Sequence, residues 1–123
     1  MTKPSDCISV TEAKALQANW MDSHEPSASS LGGEALKVCS VTFDIDQLQE
    51  YLTYVKAESK SQGILKPGIR VYFAAYNSGI DAEAAGSTTV FFCPSESDSG
   101  NSANNYNIDA LNKGQNGWPP GAY

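Results

Sequence analysis

The residues of this chain best suited to catalysis are one histidine and three cysteines. His24 is the only histidine, and it lies in a Ser/Ala/Pro-rich stretch beside Glu25. A catalytic histidine needs a fixed neighbour that sets its tautomer. The stretch around His24 offers none, so we expect a solvated loop histidine. A Cys–His nucleophilic pair would require that loop to fold over Cys39 or Cys93.

The cysteines Cys7, Cys39 and Cys93 are spaced unlike any zinc or redox motif. Their odd number favours free thiols in a reducing compartment. A Cys39–Cys93 disulfide is feasible if the two predicted strands that carry them are neighbours, and the sequence leaves this open. Both lie at inward-facing strand positions, where a cysteine acts as a small apolar residue. Cys7, in the N-terminal arm, is the most accessible thiol.

Acidic residues form no convincing metal or acid–base site. Glu96 and Asp98 lie in an oxygen-rich stretch, but the glycine and terminal glutamate of a calcium loop are misplaced or missing. Asp44 and Asp46 are better explained as residues of a helix start. No glycine-rich phosphate loop is present. The sequence therefore predicts no catalytic residue, no metal and no cofactor, and it favours a non-catalytic protein while leaving an enzyme open.

Aromatic residues around Arg70 are the remaining candidate site. Arg70 would supply positive charge for an anionic ligand. Tyr72, Tyr76 and Trp118 would supply stacking surfaces or hydrogen bonds if the C-terminal tail packs back on the sheet. The same aromatic side chains also suit the edge of a small core or an interface, so the sequence alone leaves core and site as alternatives.

Composition limits the class of protein. The chain has 123 residues, of which 41% are hydrophobic, and a formal net charge of −6. Phosphate backbones repel such an acidic surface, so nucleic acid is not an expected partner. A basic protein is an expected partner, because opposite charges attract. Apolar runs are far shorter than a membrane span, and from the polar N-terminal residues we expect no signal peptide. We therefore expect a cytoplasmic protein without a membrane partner.

Two helices are predicted. Ser9 and Glu12 form a capping-box pattern, and the apolar residues that follow at helical spacing predict a helix over 10–22. Asp44 and Gln47 form a second pattern that is typical of the N-terminus of a helix. The second helix is predicted over 45–61 and ends before Gly63. Its buried stripe is expected to comprise Ile45, Leu48, Leu52 and Val55, with Tyr51 beside it.

Alternating and β-branched patterns predict strands over 36–43, 69–76 and 87–93, the last stopped by Pro94. Residues 94–107 are polar and predict a flexible loop. Residues 108–113 suit one helical turn ended by Gly114, and 108–123 form an irregular tail that packs back. The prediction is one α+β domain over 1–123, with an antiparallel sheet of three or four strands packed on one or two helices.

Four segments together resemble a group of small uncharacterised bacterial α+β proteins: FDIDQLQEYLTYVK at 43–56, GIRVYFAAY at 68–76, TTVFFCP at 88–94 and LNKGQNGWPP at 111–120. The resemblance implies a bacterial origin and the α+β class, and it assigns no activity. From the residues we expect an immunity- or adaptor-like protein-interaction module. A small-molecule-binding protein or small enzyme that uses a cleft between tail and sheet is the alternative, and a homodimer through a strand edge is a further option.

Overall fold

The structure is a computed structural model that describes residues 1–23, 39–75 and 88–117. Within these ranges two helices and four short strands confirm the α+β class. No helix among them is long and apolar enough to cross a membrane. The elements, in chain order, are α1 (Val10–Ser23), β1 (Ser40–Thr42), α2 (Ile45–Ser61), β2 (Gly68–Ala75), β3 (Thr88–Ser95) and β4 (Gln115–Gly117).

Helix α1 begins at the predicted capping box. The Glu12 amide donates to the Ser9 hydroxyl at 3.0 Å, and that hydroxyl lies 3.3 Å from the Glu12 carboxylate. The predicted apolar stripe of this helix is not buried, because Leu16 is 60% exposed and Val10 is exposed as well. The sequence period therefore predicted the helix correctly but not a packed face.

Helix α2 matches its predicted bounds. The Asp44 carboxylate accepts the Gln47 amide at 2.9 Å, and Gly63 adopts a φ of 83°, a left-handed conformation that favours glycine after a helix. The predicted buried stripe is partly wrong: Ile45 is 75% exposed, and Leu52 is also exposed.

The buried face of α2 consists of Tyr51, Val55 and Ser59, four residues apart, so Val55 of the predicted stripe and the neighbouring Tyr51 are confirmed as buried. The buried face is rotated relative to the predicted stripe because the C-terminal part of the chain packs over Tyr51 and Val55. A local sequence pattern does not reveal a contact with so distant a part of the chain.

Strands β2 and β3 pair antiparallel over their full length, with Tyr72 opposite Phe91 and Phe73 opposite Val90. β3 continues through Pro94 to Ser95 instead of stopping at Pro94. β1 and β4 form a separate antiparallel pair. The described residues thus form two sheets of two strands, where the sequence predicted one sheet of three or four.

A C-terminal segment, residues 103–112, lies along the outer edge of β3. Leu111 and Phe92 exchange both main-chain hydrogen bonds at 2.9 Å, and the Asn105 amide donates to the Pro94 carbonyl at 2.9 Å. This extended pairing replaces the helical turn predicted over 108–113, which was wrong. Residues 94–107, predicted as a flexible loop, hold a defined set of hydrogen bonds here.

The core lies between α2 and this segment. Tyr51, Val55 and Ile108 are buried, and Phe92 and Leu111 pack against them. Gly114 allows β4 to approach β1, since a Cβ on it would lie 2.4 Å from Val41 Cγ1. Ile108 and Leu111 are the residues of the predicted tail that the structure places in this core. Trp118 and the last residues of the tail lie outside the described residues, as do His24, residues 24–38 and residues 76–87.

Candidate functional site

The alternation of β2 sends its side chains to two different surfaces. Arg70 and Tyr72 share one face with Phe91 and Cys93 of β3. Ile69, Val71 and Phe73 share the opposite face, which we call the β2 face. Each surface is associated with a cavity, so β2 is the element that organises both candidate sites.

Asn104 is the centre of the first surface. Its Oδ1 accepts a hydrogen bond from the Arg70 guanidinium, and its Nδ2 donates to the hydroxyls of Tyr72 at 2.9 Å and Tyr106 at 3.2 Å. Because arginine can only donate, the Asn104 oxygen must face Arg70 and the nitrogen must face the tyrosines. Asn104 thus links Arg70 to Tyr72, two of the residues that the sequence predicted to bind a ligand.

Arg70 also anchors the loop that precedes Asn104. Its Nη2 lies 3.0 Å from the Ser102 carbonyl and 3.2 Å from the Gly100 carbonyl. These contacts hold the loop against β2 through the Nη2 atom of the guanidinium. Arg70 therefore lies next to the site that the sequence predicted, where it positions Asn104.

A cavity of about 460 Å³ opens beside this network, and we call it the Asn104 cavity. Tyr72 and Phe91 stack within it, with centroids 5.2 Å apart and an interplanar angle of 26°. The side chains of interest around it are Tyr72, Phe91, Cys93, Asn104, Tyr106 and Asp109. It lies between the sheet and the C-terminal segment.

Cys93 lines this cavity, and the hydroxyl of Tyr51 lies behind it at the Asp109 carbonyl. Burial raises the pKa of the Cys93 thiol, and the nearby charge of Arg70 offsets only part of that effect. Burial, followed by the charge of nearby groups, raises the pKa of Tyr51 to about 12. None of Cys7, Cys39 and Cys93 is in a disulfide bond, so the structure does not contain the Cys39–Cys93 disulfide that the sequence left open.

The β2 face is apolar and exposed. Val71 is 48% and Phe73 84% exposed, and Ile69 is also exposed. Within residues 1–23, 39–75 and 88–117, no strand pairs with the outer edge of β2. An exposed edge strand with apolar side chains is a ready template for another strand.

Two further cavities flank the β2 face. One, of about 200 Å³, lies at Ile69 and is bordered by Leu52, Val55, Lys56 and Pro67. The other, of about 370 Å³, lies at Phe73. Its wall includes Gln17, Trp20, Cys39, Val41 and Val90. Gln17 and Trp20 of α1 therefore form part of the wall of the cavity at Phe73.

Of the four predicted ligand-binding residues, the structure brings Arg70 and Tyr72 together through Asn104. Tyr76 and Trp118 lie outside the described residues, so their placement stays a prediction. Sequence reasoning missed Asn104 and Tyr106. Both lie in the polar Ser/Asn-rich region, and the only local signal is an aromatic residue within that run.

No cluster of three or more metal-ligating side chains occurs in the described part of the chain. Comparisons with protein-family models, with curated proteins and with solved structures found no match to this chain. The function must therefore be argued from the geometry of the two surfaces.

Proposed function

We propose that this chain is a non-catalytic protein-interaction module, of immunity or adaptor type, that binds an extended segment of a partner protein along β2. The observation that carries the proposal is the exposure of the β2 face on a strand whose outer edge pairs with no described strand. An added strand would satisfy main-chain groups of β2 and cover its apolar side chains.

The flanking cavities define what the partner segment must contain. Ile69 and Phe73 are four residues apart, which is about 13 Å in an extended strand. A partner strand that pairs with β2 would insert two apolar side chains, four residues apart, into the cavity at Ile69 and the cavity at Phe73. Large apolar anchors in pockets supply most of the affinity of such interfaces.

The charge of the chain suggests the nature of the partner as a whole. A net charge of −6 attracts a basic protein over long range and accelerates association. A cytoplasmic location is part of the proposal, because the three cysteines form no disulfide bond and a reducing compartment maintains cysteines in that state. The bacterial origin implied by the resemblance is part of the same proposal.

Site-specific photo-cross-linking tests the docking site. Benzoylphenylalanine replaces Phe73 in one variant and Tyr106 in a matched control, since the two aromatic side chains are 84% and 88% exposed. In lysate of the source organism we expect the variant at position 73 to form one dominant adduct with a basic protein. This adduct should be lost at high salt. The variant at position 106 should form no adduct.

The other outcomes of that experiment are equally informative. An adduct between two copies of the chain at position 73 would replace the basic partner with a homodimer. Equal labelling from both positions, or none from position 73, would show that β2 is not the docking strand.

A second candidate function is small-molecule binding in the Asn104 cavity. Its volume of about 460 Å³ lies in the range of ligand pockets, and a few convergent polar groups meet an aromatic wall there. Binding of a small aromatic probe, followed by chemical shifts of the residues around the cavity, tests this candidate. The absence of any shift at Tyr72 and Asn104 would remove it.

A further inference from the structure

The Asn104 cavity contains two phenol groups whose hydroxyls can donate hydrogen bonds to a ligand. Each Nδ2 hydrogen of Asn104 is spent on one phenol oxygen, that of Tyr72 and that of Tyr106. A tyrosine hydroxyl has one proton to donate. Neither hydroxyl donates that proton to a group among the described residues, so both protons are available to a ligand.

Asn104 itself has no capacity left for a ligand. Its oxygen accepts from Arg70 and lies 3.6 Å from the Cys93 thiol, and its nitrogen donates twice. The positive charge of Arg70 polarises the amide, and chained hydrogen bonds strengthen one another. The phenols are therefore the recognition groups, and Arg70 and Asn104 are positioning residues.

The remaining wall argues for a flat and uncharged ligand. The stacked pair of Tyr72 and Phe91 presents an aromatic surface, on which a planar ring packs well. Asp109 borders the same cavity, and its carboxylate disfavours an anion. The guanidinium of Arg70 does not offset this carboxylate, because its Nη1 and Nη2 atoms donate to Asn104 and to the loop carbonyls, and the described lining of the cavity does not include Arg70.

We propose that the Asn104 cavity binds a neutral planar aromatic or heteroaromatic molecule through a carbonyl oxygen held between the hydroxyls of Tyr72 and Tyr106. This inference rests on the second candidate function and is independent of docking at the β2 face. It also replaces the anionic ligand that the sequence suggested for Arg70 with a neutral acceptor.

Titrations of the isotope-labelled full chain with three simple probes test the proposal by NMR. Benzamide offers a neutral carbonyl, benzoate offers the same ring with a negative charge, and aniline offers the ring without a carbonyl. We expect benzamide to shift the NMR signals of the Asn104 side-chain amide and of residues 104–110. Benzoate and aniline should each bind at least fivefold more weakly than benzamide.

Single-hydroxyl variants provide the second arm. Tyr106→Phe changes an exposed residue and leaves the fold intact, and we expect it to weaken benzamide binding about five- to tenfold, as for one lost hydrogen bond. Tyr72→Phe should do the same. Tyr54→Phe, an exposed tyrosine on α2, is the control and should bind as the unmodified chain does.

The possible failures are distinguishable. Tighter binding of benzoate than of benzamide would overturn the neutral ligand, and equal binding of aniline would overturn the carbonyl contact, while both would leave the cavity as a binding site. Unchanged benzamide affinity in Tyr106→Phe would overturn the role of the phenols. No shift with any probe would remove both this inference and the second candidate function.

Discussion

The hydroxyl of Tyr51 joins α2 to the C-terminal segment, and its removal tests how that segment is held. The hydroxyl lies 2.8 Å from the Asp109 carbonyl and 3.3 Å from the Phe92 carbonyl. The Phe92 carbonyl also accepts the Leu111 amide, so Tyr51→Phe leaves it satisfied. Only the Asp109 carbonyl loses its protein donor, and water can reach that exposed residue.

The expected loss of stability is therefore that of one hydrogen bond. We expect Tyr51→Phe to lower the free energy of unfolding by about 1 kcal/mol. For a chain of this size that corresponds to a fall in Tm of about 3–6 °C. Tyr54→Phe is the matched control, because its ring is on the same helix and is half-exposed; it should change the Tm by less than about 1 °C.

The pH dependence gives a second, independent signature. The folded-state pKa of Tyr51 is raised to about 12 from a reference value of 10.0. The unfolded chain therefore ionises this tyrosine first. Its stabilising effect is complete below pH 10 and is lost as the pH rises towards 12. The full shift corresponds to at most about 3 kcal/mol, and partial hydration of the hydroxyl reduces our expectation to about 1–2 kcal/mol.

Urea unfolding followed by circular dichroism, from pH 8 to pH 12, measures both effects. The difference in stability between the unmodified chain and Tyr51→Phe should shrink above pH 10, because the variant has no hydroxyl to ionise. An equal loss in Tyr54→Phe, or a difference that stays constant with pH, would refute the contact between α2 and the C-terminal segment.

Further changes probe other parts of the fold. Gly114→Ala should destabilise by about 1–3 kcal/mol in thermal melts, since the new Cβ would lie 2.4 Å from a valine side chain. Gly63→Ala should cost only about 1 kcal/mol, because its φ is 83° but the space around it is open. Truncation after Pro94 removes part of the core, and we expect it to abolish the cooperative melt; an unchanged melt would contradict this. Maleimide should label the exposed Cys7 well before Cys93, whose pKa burial raises, and equal rates at pH 7 would contradict the burial.

The elements that local chemistry dictates could be predicted from the sequence. Asp44 and Gly63 bracket α2 because a side-chain cap and a left-handed glycine act within one turn of the helix ends. The β-branched and aromatic run at 69–76 predicts β2, observed at Gly68–Ala75, for a similarly local reason. These elements agree with the structure to within one or two residues at the ends of α2 and β2.

Features that depend on distant partners could not be predicted. Residues 108–113 satisfy a helical pattern, but pairing of Leu111 with Phe92 draws them into an extended form. Asn104 has no local pattern that distinguishes it from its asparagine neighbours, and its role arises only where Arg70, Tyr72 and Tyr106 converge. Polar residues of this kind acquire their function from tertiary contacts, which a single sequence does not encode visibly.

Amide hydrogen exchange across β2 addresses the proposed docking strand most directly, with the protein captured at position 73 as the added partner. In an edge strand, alternate amides point away from the sheet and exchange quickly. We expect the outward amides of Gly68–Ala75 to be unprotected in the free chain and at least tenfold slower in the complex, with residues 104–110 unchanged. Outward amides that are already protected in the free chain, or slowing confined to residues 104–110, would contradict docking along β2.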